Sequence, residues 1–451
     1  MKKTIKTLAA VLTMIMLLTA CGMAAAEQEA RKTETAADAQ EWIAALLGEH
    51  PEELDGVWAM TAQMEEAAAR MGGTAGLAKG LAALGTVQEI GSVYEGSVQG
   101  FKAFYAPCVF SAMSVDLVLL VQDGAIAGLS TGIYNGGKQA ETESDIFDSI
   151  ELALPVPGLG ELPGILTVPR GEGPYPAVIL LQGSGSSDKD ETVGSLKPFR
   201  DLAEGLAEHG IAVYRFDKRS YVYGAALMAN RQITLRDEYL EDAVNAVQLL
   251  AGQPGIDPDR IFVFGHSLGG NAIPAVAREL EQASVKARGF IMMAASPRPL
   301  DELMREQYDY LYSLMPEVTE EQQAEKDRIF AELDKLKDID SLSEDDTVIG
   351  VYSSYWKWLA EYDILQAAEE ISQPVLLLQG EEDYQVTMTD FGIWKDAVGE
   401  KENWQMISYP GLTHVFVPGR KTEGAAVYSR EGKVDARVIQ DIAGFVAGTE
   451  P

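Results

Sequence analysis

Around residue 267 the chain runs from an apolar stretch, Ile261-Phe262-Val263-Phe264, through Gly265-His266-Ser267-Leu268-Gly269 into Gly270-Asn271-Ala272-Ile273. That order is strand, sharp turn, small-residue helix start. Such a turn forces the serine into a strained backbone conformation that lifts its hydroxyl clear of the sheet. The flanking glycines are needed because strand and helix crowd each other there. Ser267 is the candidate nucleophile.

The string alone is weak, since Gly128-Leu129-Ser130-Thr131-Gly132 also has the form Gly-x-Ser-x-Gly. It follows a turn and a short strand, and Tyr134-Asn135-Gly136-Gly137 after it is loop chemistry with no helix. Ser130 is therefore expected in a strand or turn, and context selects Ser267.

A serine hydroxyl needs a general base at neutral pH. The chain has four histidines. His50 precedes Pro51, and His209 precedes Gly210 at a helix end, where a histidine usually caps the C-terminus. His266 adjoins the nucleophile with its side chain expected to point away. His414 remains, in a loop after the strand-like Trp404 to Tyr409. For the orienting acid, Pro374-Val375-Leu376-Leu377-Leu378-Gln379 reads as a fully buried parallel strand running into Gly380-Glu381-Glu382-Asp383. Acids just past the carboxyl end of a strand lie where α/β sites assemble. Asp383 is the expected partner, ahead of Glu382 and of Asp390 in the following helix; a solvated acidic turn is the plain alternative.

Acyl transfer also needs donors for an oxyanion. The backbone N–H of Leu268 is one candidate. The other belongs to the loop Gln182-Gly183-Ser184-Gly185-Ser186 after the strand Ala177 to Leu181, with Ser184 preferred and Gly183 the alternative. No Gly-Lys-Ser/Thr ending is present, so a nucleotide site is not expected.

From about residue 150 onward the chain resembles bacterial carboxylesterases of the α/β-hydrolase superfamily. The stretches that carry the resemblance are LLQGSGSSDKDE, YRFDKRSYVYG, FVFGHSLGGNAIPAVA, MMAASPRPL, LLLQGEEDYQV and YPGLTHVFVPG, in family order. The order Ser267, Asp383, His414 is the α/β-hydrolase order. The resemblance implies those three as the triad, a proline at Pro274 inside the nucleophile helix, and no metal or organic cofactor. Two departures are Gln182, where many relatives have histidine, and Asp217-Lys218-Arg219-Ser220, where Asp-x-Arg-Gly is commoner and a structural turn is expected.

Lys2, Lys3 and Lys6 followed by an apolar run to Leu18 form a signal-peptide pattern. Leu18-Thr19-Ala20-Cys21 resembles a lipobox, which implies lipidation of Cys21 and an exported protein held on the outer face of a bacterial membrane by its lipid. An uncleaved anchor is the alternative, but the run is short of the roughly twenty apolar residues a span needs. With Cys21 lipidated, Cys108 is left without a partner in the chain and is expected as a small buried hydrophobe. Residues 1–20 are thus expected as leader, 21–40 as an Ala/Glu/Thr/Lys tether, 41–145 as a small α+β domain, and 150–450 as the α/β-hydrolase domain. The small domain, helices followed by a curved antiparallel sheet, is similar to nuclear-transport-factor-like folds. Strand–helix alternation breaks after Pro299, and residues 300–362 are expected as a helical cap. Within it Tyr308, Tyr312, Tyr352, Tyr355, Trp356 and Trp358 either line an acyl pocket or, more in keeping with helical spacing, pack the cap on the core.

The formal net charge is −33, and the first twenty residues contribute only lysines to it. Nucleic-acid binding is disfavoured, and so is adhesion to anionic lipid by the protein body. The expected activity is hydrolysis of small-molecule carboxylic esters through an acyl-enzyme. A thioesterase, acyltransferase or peptidase of the same fold, and a non-catalytic binding lipoprotein, are the rivals. Oligomeric state has no signature in the sequence.

Overall fold

The computed structural model describes residues 30–98, 101–111, 114–133 and 144–449. The leader and Cys21 lie outside the described residues. The chain divides into two compact units, Met1–Ala140 and Glu141–Pro451.

The first unit packs the helices Ala36–Leu46, Ala62–Met71 and Thr74–Gly80 with an antiparallel sheet. Its long strand Phe101–Phe110 pairs with Val87–Ile90, Tyr94–Val98 and Ser114–Gln122, and the last of these pairs with Ala125–Ile133. Trp42, Ile43, Leu46, Phe104, Cys108, Leu117 and Leu119 form its core. Ser130 lies in strand Ala125–Ile133 opposite Val118, so the second Gly-x-Ser-x-Gly string is sheet. Asp123 and Gly124 both have positive φ, 52° and 82°, as a tight hairpin turn requires. The expected tether ends earlier than residue 40. Arg31 bonds through its backbone to Val57 and Ala59, and helix Ala36–Leu46 opens with a Thr35–Asp38 capping box and buries Ala39 completely. The Ala/Glu/Thr composition that suggested a tether concealed this cap.

The second unit is an α/β-hydrolase fold. Its sheet runs Trp404–Tyr409, Val375–Gly380, Gly289–Met293, Ile256–His266, Tyr175–Leu181, Ala212–Phe216, Gly164–Pro169 and Phe147–Glu151. The first six are mutually parallel, and the last two join antiparallel. Both faces are covered, so alternation sorts side chains between two cores and exposes neither. In Tyr175–Leu181, Ala177, Ile179 and Leu181 face the core under helix Leu268–Gln282, while Val178 and Leu180 face helices Pro198–Glu208 and Ala436–Gly448. From the strand Tyr175–Leu181 the chain goes to one side for Ala212–Phe216 and to the other for Ile256–His266. The loops after Leu181 and His266 therefore flank the point where strand order reverses, where α/β sheets leave a crevice.

Between Gly289–Met293 and Val375–Gly380 the chain builds the cap: helices Leu300–Ser313, Glu320–Asp334 and Ser353–Glu361, with a short ribbon of Thr347–Val348 and Val351–Tyr352. Ile329, Leu333, Val348 and Trp356 form its own small core. No helix among the described residues is long and apolar enough to cross a membrane.

Candidate active site

Strand Ile256–His266 ends one residue before the turn, and helix Leu268–Gln282 begins one residue after it. Ser267 between them has φ 53° and ψ −121°, a conformation an L-residue adopts only under strain. The glycines explain why the turn closes. A Cβ on Gly265 would run into the carbonyl of Gly269, and one on Gly269 would run into the carbonyls of Leu181 and Gln182. The Ser267 N–H donates to Met293 O at 2.9 Å, which ties the turn to the neighbouring strand. Leu268 is the first helical residue, so its N–H is among those without an intrahelical acceptor.

Asp383 follows strand Val375–Gly380 and is 2 % exposed. Its Oδ1 accepts from the backbone N–H of Gln385 and Val386 at 2.7 and 3.0 Å. Its Oδ2 accepts from Gln379 Nε2 at 3.3 Å and from His414 Nδ1 at 2.6 Å. With both oxygens engaged the carboxylate has one orientation. Donation from Nδ1–H leaves Nε2 of a neutral His414 as the basic nitrogen. The rival acids are engaged elsewhere: Glu382 accepts from Lys421 N, while Asp390 bonds to Ser296, Arg298 and Thr387.

The Ser267 hydroxyl makes no hydrogen bond to His414 among the described residues. The two positions are joined through the main chain. His266, the neighbour of Ser267, lies with Nε2 3.0 Å from the carbonyl oxygen of His414 and Nδ1 2.9 Å from Glu191 Oε1. A nucleophile–base contact is often long before substrate is engaged.

His266 is wholly surrounded, and both its ring nitrogens face acceptors, a carbonyl and a carboxylate. Burial works against its charge. The Glu191 charge and the two hydrogen bonds outweigh burial and move its pKa upward. Glu191, itself buried with φ 51°, also accepts from the N–H of Gly183 at 2.5 Å. One carboxylate oxygen thus serves both the loop after Leu181 and the residue beside Ser267.

That loop lies against Ser267: a Cβ on Gly183 would be 3.2 Å from the Ser267 Cβ. The Gly183 N–H is held by Glu191, whereas the N–H of Ser184 has no acceptor among the described residues. Gln182, where histidine is commoner, turns its amide to the backbone carbonyls of Phe216 and Asp188 and stays out of the crevice. Beneath the loop lies Lys218, 2 % exposed. Its Nζ is 2.8 Å from Gly183 O, 3.0 Å from Gly185 O, 2.6 Å from the Tyr239 hydroxyl and 2.7 Å from Glu238 Oε1. Neither Glu191 nor Lys218 was among the expected site residues. No local pattern distinguishes a buried charge from a solvated one in Asp188-Lys189-Asp190-Glu191 or Asp217-Lys218-Arg219.

A cavity of about 380 Å³ opens between helix Leu268–Gln282 and the cap. Leu235, Leu268, Pro297, Leu300, Ile339 and Trp356 give it a mainly apolar wall. Of the six cap aromatics, only Trp356 lines it. Tyr308 packs against Phe330, Tyr312 donates through its hydroxyl to Gln322 O, Trp358 packs against Tyr362 and Tyr355 bonds through its hydroxyl to Glu238. A second depression, about 440 Å³, is walled by Pro374, Val375 and Trp404 at the amino ends of their strands, the edge of the sheet opposite Ser267.

The family described as serine aminopeptidase, S33, matches residues 193–417, a span that contains Ser267, Asp383 and His414. Esterase EstD of Thermotoga maritima is 36% identical over 334 residues, covering 72% of this chain and 75% of that protein. Esterase FrsA of an Enterobacter species is 28% identical over 138 residues, 30% of each chain. Among solved structures, Est1E from Butyrivibrio proteoclasticus aligns at 16% identity with a TM-score of 0.43, over 66% of this chain and 98% of that one. Given a 36% identical relative matched over 75% of its length, the chain belongs to the α/β-hydrolase family of serine hydrolases.

Proposed function

We propose that the protein hydrolyses carboxylic esters through an acyl-enzyme on Ser267. The observation that carries this reading is the strained serine turn at the same sheet edge as a buried His414–Asp383 pair whose tautomer leaves Nε2 basic. Ser267 Oγ attacks the ester carbonyl as His414 Nε2 takes its proton, and the imidazolium is stabilised by Asp383. The N–H groups of Leu268 and Ser184 receive the oxyanion. His414 returns the proton to the departing alcohol. Water, deprotonated in turn by His414, releases the acid and restores Ser267. The apolar cavity under the cap suits an uncharged acyl or alcohol group of moderate size.

Ser267→Ala tests this directly. Hydrolysis of a short p-nitrophenyl ester should fall by roughly 10⁴-fold or more, and labelling by a fluorophosphonate probe should vanish. Undiminished turnover would remove Ser267 from the mechanism. Side-by-side rates on an acyl thioester and an aminoacyl naphthylamide separate esterase from thioesterase and peptidase.

We also propose that Cys21 carries a lipid that holds the protein at the outer face of the membrane, after removal of residues 1–20. The support is the Lys-rich, apolar, Leu-Thr-Ala-Cys order of that segment. Cys21→Ser should shift the protein from the detergent phase to the aqueous phase in a phase-separation assay.

A further inference from the structure

The fold places a buried ammonium directly under the loop that faces Ser267. The Gly183–Ser184 peptide is trans, since among the described residues the one cis bond is Gly173-Pro174. In a trans peptide the C=O and the N–H point in opposite directions. Whatever holds the Gly183 oxygen down therefore aims the Ser184 N–H up. Two donors hold it: Lys218 Nζ at 2.8 Å and the Tyr239 hydroxyl at 2.7 Å. Lys218 also reaches Gly185 O at 3.0 Å, so the Gly185–Ser186 peptide, two further along, is held by the same ammonium. Glycine at 183 and 185 leaves these two peptide planes free to rotate unless something fixes them, and Gly185 has φ 84°.

We infer that Lys218, assisted by Tyr239, is a positioning residue for the oxyanion site, orienting the Ser184 N–H by holding the carbonyls of Gly183 and Gly185. This rests on the reading of Ser267 as nucleophile and extends it. A lysine suits the task because its ammonium carries three N–H donors on one atom and can bridge two carbonyls and a counter-charge. Burial moves the Lys218 pKa downward, and Glu238, the counter-charge at 2.7 Å, opposes that shift. The three N–H groups of the ammonium face four oxygens; the Tyr239 hydroxyl, 2.6 Å from Lys218 Nζ, itself donates to Gly183 O at 2.7 Å and so shares the hold on that carbonyl. Lys218 touches neither substrate nor nucleophile. Its effect is on the geometry in which charge develops, and a donor displaced by about 1 Å can forfeit about 10²-fold in rate.

The test compares four variants with the wild-type full chain: Ser267→Ala, Lys218→Met, Lys218→Met combined with Glu238→Gln, and Tyr239→Phe. Three quantities are read on a p-nitrophenyl ester: kcat, KM, and the inhibition constant of a trifluoromethyl ketone, which forms a tetrahedral oxyanion on a serine. Lys218→Met should lower kcat by about 30- to 100-fold and weaken the ketone by a similar factor, with KM within about threefold. Should the lone glutamate left by Lys218→Met prevent folding, the double variant removes both charges and carries the same expectation. Tyr239→Phe keeps the ion pair and should lower kcat and ketone affinity together by about fivefold. A folded variant at position 218 with wild-type kcat and ketone affinity would overturn the inference. So would a loss of kcat that leaves ketone affinity untouched. Ser267→Ala keeps the two questions apart: its retained turnover would sink the nucleophile, whereas an inactive Ser267→Ala beside a fully active Lys218→Met would sink the positioning role alone.

Discussion

His266 Nε2 lies 3.0 Å from the carbonyl oxygen of His414, so the residue beside the proposed nucleophile holds the backbone of the proposed base. The other face of the same ring meets Glu191, which in turn holds Gly183. Three loops from different parts of the chain are thus pinned on one imidazole.

Glu191→Gln should weaken this junction in a pH-dependent way. The folded-state pKa of His266 is raised, against burial, by Glu191 and by its hydrogen bonds. A group shifted upward on folding contributes stability that is complete below its unfolded pKa and disappears as pH rises through the folded value. The difference in Tm between wild type and Glu191→Gln should accordingly be largest near about pH 6 and shrink toward about pH 9. A constant difference across that range would show that His266 carries no charge in the fold.

Asp383→Asn should reduce kcat on a p-nitrophenyl ester by on the order of 10³- to 10⁴-fold, with a change in Tm of only a few degrees. The carboxamide oxygen can still accept from Gln385 and Val386, which turns its NH₂ toward His414. His414 must then present Nδ1 as an acceptor and lose its basic Nε2. An asparagine variant that retained a tenth of wild-type turnover would exclude Asp383 as the orienting group.

Arg219→Met should destabilise the second unit by about 3–5 kcal/mol, because Asp242 must then hold a buried charge without its partner or take up a proton to lose it. The pair is bidentate, 2.6 and 3.1 Å, with both side chains almost fully buried. Burial raises the Asp242 pKa to about 6, and Arg219 opposes that rise. Removing the arginine pushes the folded value higher still. An acid raised on folding penalises the native state once pH exceeds its unfolded value, so the deficit in urea unfolding should be larger at about pH 7 than at about pH 5. An equal deficit at both would place the cost in packing and not in charge.

Ile339→Trp should shorten the range of acyl groups accepted. Ile339 is half-buried on the cap side of the 380 Å³ cavity. An indole there takes up space that a longer chain would need, and each excluded methylene is worth about 1–3 kcal/mol of discrimination. The value of kcat/KM should fall about tenfold or more for p-nitrophenyl octanoate and change less than twofold for the acetate. Parallel losses on both would mean that the cavity does not receive the acyl group.

The nucleophile turn was legible because its chemistry is local: an apolar strand, glycines where side chains collide, and a helix of small residues all fall within seventeen positions, Ile261 to Ala277. The acid loop was legible because it follows Val375–Gly380, whose unbroken apolarity marks a strand buried on both faces, and the histidine because only four occur in the chain and three sit in other contexts. What lay beyond reach were contacts made across the fold. Lys218 meets Gly183 over a separation of 35 residues, and Glu191 meets His266 over 75. Composition treats both as ordinary surface charges, and only the three-dimensional arrangement shows them to be interior. The first unit carried a similar lesson on a small scale. The Thr35–Asp38 cap starts a helix with one buried face inside a stretch whose bulk composition is that of a linker.

The phenol of Tyr355, on the cap helix Ser353–Glu361, reaches Glu238 at 2.7 Å, and Glu238 is the counter-ion of Lys218. The roof of the pocket and the floor of the reaction centre therefore share one carboxylate. Exchanging residues 300–362 for the corresponding segment of another hydrolase would alter more than pocket shape. A graft lacking a hydroxyl at that point would change the electrostatics beneath the loop that faces Ser267, and with them the speed of chemistry on every substrate.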